Sequence, residues 1–119
     1  VNKAVLILVD KKLNEDKEFL TIRADYKLNK IAYDEIDFIE GLDDYVKIHL
    51  ENGKRITARI SMKSILEKLP DQLFVRVHRS YIVSIKKVKS IQNKVLYLKD
   101  EEIPIGETYK NVILEFFKV

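Results

Sequence analysis

A mainly β fold, of roughly eight to ten short strands and two short helices, is what three features of the sequence predict. Apolar and polar residues alternate in short runs, the period of a half-buried strand. A Glu51-Asn52-Gly53 segment separates two such runs and reads as a hairpin. Only two stretches carry the i, i+3, i+4 spacing of an amphipathic helix.

Near the start of the sequence Ala4–Val9 forms an apolar run far too short to cross a bilayer. The run needs a packing partner, either an upstream domain or this one, as an N-terminal strand. Residues 10–18, DKKLNEDKE, are almost all charged and read as a linker. In FLTIRAD (19–25), Leu20, Ile22 and Ala24 fall on one face and Phe19, Thr21 and Arg23 on the other. A second short apolar stretch is Ile31-Ala32-Tyr33. In IDFIEG (36–41), alternation sets Ile36, Phe38 and Glu40 against Asp37 and Ile39.

The hairpin over 45–60 can be read to its register. A two-residue Asn-Gly turn would place Ile48 opposite Thr57 and scramble the faces. A three-residue loop with Gly53 left-handed pairs Leu50 with Lys54, Ile48 with Ile56 and Val46 with Ala58, so every apolar residue shares a face. Lys47, His49, Arg55, Thr57 and Arg59 form the outer face. Ser61 then caps a helix whose core stripe is Met62, Ile65, Leu66 and Leu69, and Pro70 ends it. Leu73–Val77 and Tyr81–Ile85 are strands flanking the bend His78-Arg79-Ser80. Val88–Ile91 and Val95–Leu98 follow, joined by Gln92-Asn93-Lys94, and Ile103-Pro104-Ile105 is an edge segment because proline cannot donate to a ladder. A second helix closes the chain, with Tyr109, Val112, Ile113, Phe116 and Phe117 on one face.

The composition excludes several functions. With no cysteine, disulfide frameworks, cysteine-ligated metals and thiol catalysis are out. Three glycines leave no Gly-rich phosphate loop. The two histidines, His49 and His78, have no metal-site spacing, and no nucleophile elbow is present. The chain is therefore expected not to be an enzyme and to need no cofactor or metal. Charge is informative by its layout. Of 22 basic residues, seven (Arg76, Arg79, Lys86, Lys87, Lys89, Lys94, Lys99) fall between Gln72 and Lys99 with no acid among them, while Asp34 to Asp44 holds six acids and no base. A basic stretch interleaved with aromatics suggests a polyanion partner, although such runs are commonly just solvated faces.

The most pointed segment is Arg76-Val77-His78-Arg79-Ser80-Tyr81. Alternation turns Val75 and Val77 inward and Arg76 and His78 outward, and leaves Arg79 and Ser80 in the bend. Arginine can fork onto guanine or a phosphate, and serine suits phosphate oxygens. A half-buried histidine such as His78 more commonly holds a turn than contacts a ligand. Single-strand binding would require an exposed aromatic platform. Tyr33, Phe38, Tyr45, Tyr81 and Tyr97 read instead as core or strand pairs.

FIEGLDDYVKIHLENGKRITARISMKSILEKLP, then FVRVHRSYIVSIKKVKSI, then IPIGETYKNVI, resemble the LytTR DNA-binding domain over residues 19–117. That family shares an I-E-(G/A)-x-x-x-Y-V entry, a (S/T)-(L/M)-K-x-(L/I)-E-x-L-P helix, an F-x-R-V-H-R-S-Y core and a (I/L)-P-(I/V)-(S/G)-x-x-Y close. The resemblance implies a fold of about ten short strands in small stacked sheets that meets DNA through loops rather than a recognition helix. It also implies a division into 1–18, the tail of an upstream receiver domain plus linker, and 19–119, the DNA-binding domain. The first loop maps near Asp43, Asp44 and Lys47, the second to His78-Arg79-Ser80 with Arg79 at the contact position, and the third to Gly106, Glu107 and Thr108. The sequence departs from the family where Asp43, Asp44 and Glu107 put acids in the first and third loops.

The implied function is sequence-specific binding of double-stranded DNA, as the transcription-regulating output domain of a bacterial two-component response regulator. Expected DNA contacts are Arg79, Ser80, His78, Arg76, Lys86, Lys87, Asp44, Lys47, Thr108 and Lys110. Expected partners are duplex DNA with repeated half-sites, the receiver domain and its histidine kinase, with room for a homodimer on DNA and no membrane for this fragment. The expected location is the cytoplasm. A protein–protein or membrane-tethered signalling module of the same fold, without direct DNA readout, remains open on the sequence.

Overall fold

The computed structural model describes residues 18–117. The expected receiver tail and linker therefore lie outside the described residues, apart from Glu18. Ten strands form three antiparallel sheets: β1 (Phe19–Ala24) with β2 (Lys27–Ala32); a five-stranded sheet of β3 (Ile36–Leu42), β4 (Tyr45–Leu50), β5 (Arg55–Ala58), β6 (Phe74–His78) and β7 (Tyr81–Ser84) in the order β5-β4-β3-β7-β6; and a three-stranded sheet of β8 (Ser90–Gln92), β9 (Val95–Tyr97) and β10 (Glu102–Pro104) in the order β10-β9-β8. Among the described residues, two α-helices, α1 (Met62–Lys68) and α2 (Lys110–Phe117), and three single 3-10 turns complete the fold.

The five-stranded sheet is the middle layer because β3, β6 and β7 are apolar on both faces, while β4 and β5 are apolar on one. One face packs Ile36, Ile39, Val46, Ile48 and Ile82 against Leu20, Ile22 and Ile31 of the first hairpin, Ile65 of α1 and Leu69 just after it. The other packs Phe38, Val75, Val77 and Val83 against Leu96, Leu98 and Ile103 of the third sheet and Ile113 of α2. Each such fully buried Ile, Leu or Phe contributes about 1.5–3 kcal/mol.

The 45–60 hairpin has the register its faces require. Ile48 pairs with Ile56 and Val46 with Ala58, Leu50 N–H donates to Lys54 O at 2.9 Å, and Gly53 sits at φ +88°. Ser61 Oγ accepts from Ser64 N–H at 3.1 Å, an N-cap worth about 1 kcal/mol.

Five details differ from the expectation. A bulge between Ile36 and Phe38 interrupts strict alternation, so Ile36 and Ile39 share one core while Phe38 enters the other. β2 begins at Lys27, because Asp25 and Tyr26 both take positive φ and close a two-residue hairpin turn matched to strand twist. Tyr45 is 46% exposed rather than packed, since it stands at the open end of β4 beyond the reach of either core. In α2 only Ile113 is fully buried, while Val112 and Phe116 face outward. The strand expected over Tyr81–Ile85 stops at Ser84, and Ile85 opens a 3-10 turn with Lys86 and Lys87.

Candidate nucleic-acid interface

Antiparallel connectivity sends three loops to one end of the central sheet. The Asp43–Asp44 turn joins β3 to β4, with Asp43 at φ 56°. The Arg79–Ser80 turn joins β6 to β7. The two are laced together where Gly41 N–H donates to Ser80 O at 2.8 Å. A β-carbon on Gly41 would meet Met62 Cγ at 2.9 Å, so glycine here leaves room for the Met62 side chain. The third loop docks on the far side of the second: Gly106 N–H donates to Val77 O at 2.8 Å, and the 3-10 turn Glu107–Tyr109 leads into α2. A fourth segment, unassigned by sequence reasoning, joins them. Ile105 N–H donates to Lys94 O at 2.8 Å, bringing the Asn93–Lys94 hairpin tip to the third loop. Arg59 is a fifth arrival, because Ala58 pairs with Val46 and the next residue falls beside Tyr45.

The second turn is held by side chains. Positive φ occurs at Asp25, Tyr26, Asp43, Gly53 and Asn93 among the described residues, and not at Arg79 or Ser80. The turn therefore lacks the primed geometry that suits strand twist. Instead Arg76 donates from Nε to His78 O (3.3 Å) and from Nη2 to Arg79 O (2.6 Å), with its guanidinium 5.9 Å from the Tyr109 ring. His78 Nδ1 accepts the Ser80 N–H at 3.1 Å. An accepting Nδ1 carries no proton, so the proton of the neutral ring is on Nε2. Arg76 and His78 thus brace the turn, Ser80 is half-buried, and Arg79 projects into solvent.

Cations and acids meet at this end. Lys94 pairs with Glu107, and that hydrogen bond, followed by the charges of Lys94 and Lys110, holds the Glu107 carboxyl below its ordinary range. Thr108 and Lys110 are exposed beside it; Asp43 and Asp44 are exposed in the first turn, and Lys47 is half-buried opposite Glu40. Lys86 and Lys87 are not brought to this end. They lie at the other, where Glu51 N–H donates to Glu35 O. There Lys86 binds Asp34, and Lys87 reaches Glu51 at 2.5 Å and Asp37 at 3.6 Å. Hydrogen bonding to these lysines holds Asp34 and Glu51 low, and Glu51 in turn raises Lys87. The basic stretch of the sequence is therefore not one surface. Arg79 and Lys94 go to the loop end, and Lys86 and Lys87 are neutralised at the opposite one.

Among the described residues no group of three acidic or histidine side chains is arranged to hold a metal, and no helix is long and apolar enough to cross a membrane. The family model for the LytTr DNA-binding domain matches residues 26–118. The sensory transduction protein LytT of Oceanobacillus iheyensis is 32% identical over 117 residues, which cover 91% of this chain and 48% of that protein. The chain thus spans about half the length of this curated relative. A solved LytTr DNA-binding domain of a Bacillus cereus response regulator shares the fold, with a TM-score of 0.73 at 19% identity over 86% of this chain and 98% of that one.

Proposed function

The chain belongs to the LytTR DNA-binding domain family, and from that premise we propose that it binds double-stranded DNA sequence-specifically through the loop end of its central sheet. The observation that carries this reading is the convergence of separate segments around one unengaged arginine. Arg76, His78 and the Gly41 amide fix the backbone of the Arg79–Ser80 turn, and Arg79 alone is left to reach outward. A guanidinium offered from a rigid turn can take two acceptors on guanine or a phosphate with little ordering cost. Arg59 and Lys110, exposed at the same end, serve as phosphate contacts, while Asp44 suits a donor such as cytosine N4.

In this reading the domain is the output module of a cytoplasmic two-component response regulator, controlled by phosphorylation of a receiver domain. The LytT relative is longer than the matched region, so that protein has chain left over for another domain. The family is defined by DNA binding and not by a catalysed reaction. Selection of bound duplexes from a random pool tests the proposal. A recovered repeated motif, retained against single-stranded competitor, is the expected result. Recovery of no motif, or equal competition by single strands, would reject it.

A further inference from the structure

Met62 opens α1, three residues after Arg59, where the chain leaves the β5 edge and enters the helix. Ser61 fixes that corner: its Oγ accepts the Ser64 N–H at 3.1 Å and donates to Ser64 Oγ at 2.9 Å. Ile65, three residues on, is fully buried in the first core and anchors the helix there. The Met62 side chain is half-buried and packs at the margin of the same core. Its Cγ and Sδ lie 2.9 and 3.0 Å from where a Gly41 β-carbon would stand, and Ser80 Cα lies 3.7 Å from that point. The thioether therefore packs against the Gly41 α-carbon on the side that also faces Ser80. Gly41 is the residue whose amide donates to Ser80 O at 2.8 Å, so the helix, the first turn and the second turn meet in one place. A hydrogen bond sets a separation and leaves rotation about it; a side chain packed on the same α-carbon removes that freedom. An unbranched thioether suits a gap of this irregular shape, and Met62 is the one methionine in the sequence.

We propose that Met62 is a positioning residue of the DNA interface: carried on α1 and packed against Gly41, it sets where the Arg79 turn stands relative to the Asp43–Asp44 turn. This rests on the DNA-binding reading above. Met62 acts through Gly41 and Ser80 and need not touch nucleic acid. Direct base readout depends on the relative placement of two turns, whereas loose phosphate binding does not. Loss of the thioether is therefore felt in discrimination between duplexes.

The test compares a selected duplex with an unrelated one of equal length, at a temperature well below the melting of each variant. Met62→Ala should weaken the selected duplex about tenfold and the unrelated one less than about twofold. Met62→Leu, which conserves the volume, should bind both like wild type. Gly41→Ala reaches the same contact from the other side, because its methyl group meets the thioether, and should reproduce the discrimination loss with Met62 in place. Joined to Met62→Ala it should cost almost nothing further, since the methyl group then enters space the thioether has left. Without DNA, Met62→Ala should speed amide exchange at Gly41 while leaving Ile48 and Val83 protected. Equal losses on both duplexes, additive losses in the double variant, or unchanged exchange at Gly41 would each overturn the role. Should Met62→Ala fail to fold, Gly41→Ala decides alone, and wild-type discrimination in that variant overturns the role. Wild-type protein that binds neither duplex would overturn the DNA-binding reading itself, and the exchange measurement would still decide whether Met62 holds the two turns together.

Discussion

Arg76 and Arg79 stand three residues apart, and the sequence offers both as DNA contacts. In the structure the first is engaged with the carbonyls of His78 and Arg79, and the second projects from the turn they form. Their substitutions should therefore differ in kind. Arg79→Ala should leave stability within about 0.5 kcal/mol, as exposed substitutions do. It should cost roughly 1–3 kcal/mol of binding on the selected site if the guanidinium meets a base. Arg76→Lys keeps the charge but cannot fork onto two carbonyls, so it should lower stability by about 1 kcal/mol and weaken binding as a consequence. His78 separates further by chemistry. His78→Asn can offer an oxygen to the Ser80 amide and should keep much of the fold, whereas His78→Ala leaves that amide unpaired and should lose about 1–3 kcal/mol. Thermal melts beside binding isotherms check all three, and equal melting of His78→Asn and His78→Ala would contradict the bracing role.

At the scale of elements, the third loop carries an acid where DNA should approach, and Lys94 cancels it. Glu107→Gln should free Lys94, raise affinity for any duplex several-fold and steepen the salt dependence by up to about one. Stability should barely move, since both partners are exposed. Titration cannot do the same near neutrality. The folded Glu107 carboxyl lies below its ordinary 4.5, so the pair is intact above that value and is lost only as pH falls through the depressed pKa. A Glu107→Gln variant with unchanged affinity would remove the third loop from the interface. These elements were legible in the sequence to different depths. The 45–60 hairpin could be read to its register because only one pairing puts Val46, Ile48, Leu50, Ile56 and Ala58 on a common face. The Asp25-Tyr26 turn was hidden, since a tyrosine at positive φ announces nothing in composition. The braces of Arg79 and the neutralisation of the basic stretch were hidden for another reason. They depend on partners brought together by folding, such as Asp34, fifty-two residues from Lys86.

Across the whole molecule, the cations divide between two ends of one sheet, with Lys89 and Lys99 exposed near Lys86 and Lys87. The loop end exposes Arg59, Arg79, Lys94 and Lys110, while the opposite end pairs Lys86 and Lys87 with Asp34, Asp37 and Glu51. With Lys94 tied to Glu107, about three phosphate contacts should give a slope of log affinity against log salt of about −2 to −3 on duplex DNA. The sheet is expected to serve as a rigid carrier, because one face, and the β3, β6 and β7 part of the other, are filled by core side chains. The location of binding is the central claim, and titration of isotopically labelled protein with a selected duplex, followed by amide NMR, tests it most directly. The account predicts that shifts concentrate at Gly41–Tyr45, Arg79–Ser80, Asn93–Lys94 and Gly106–Lys110, with Lys54, Lys86 and Lys87 unmoved. Shifts centred on Lys86 and Lys87, with Arg79 and Ser80 unmoved, would contradict it.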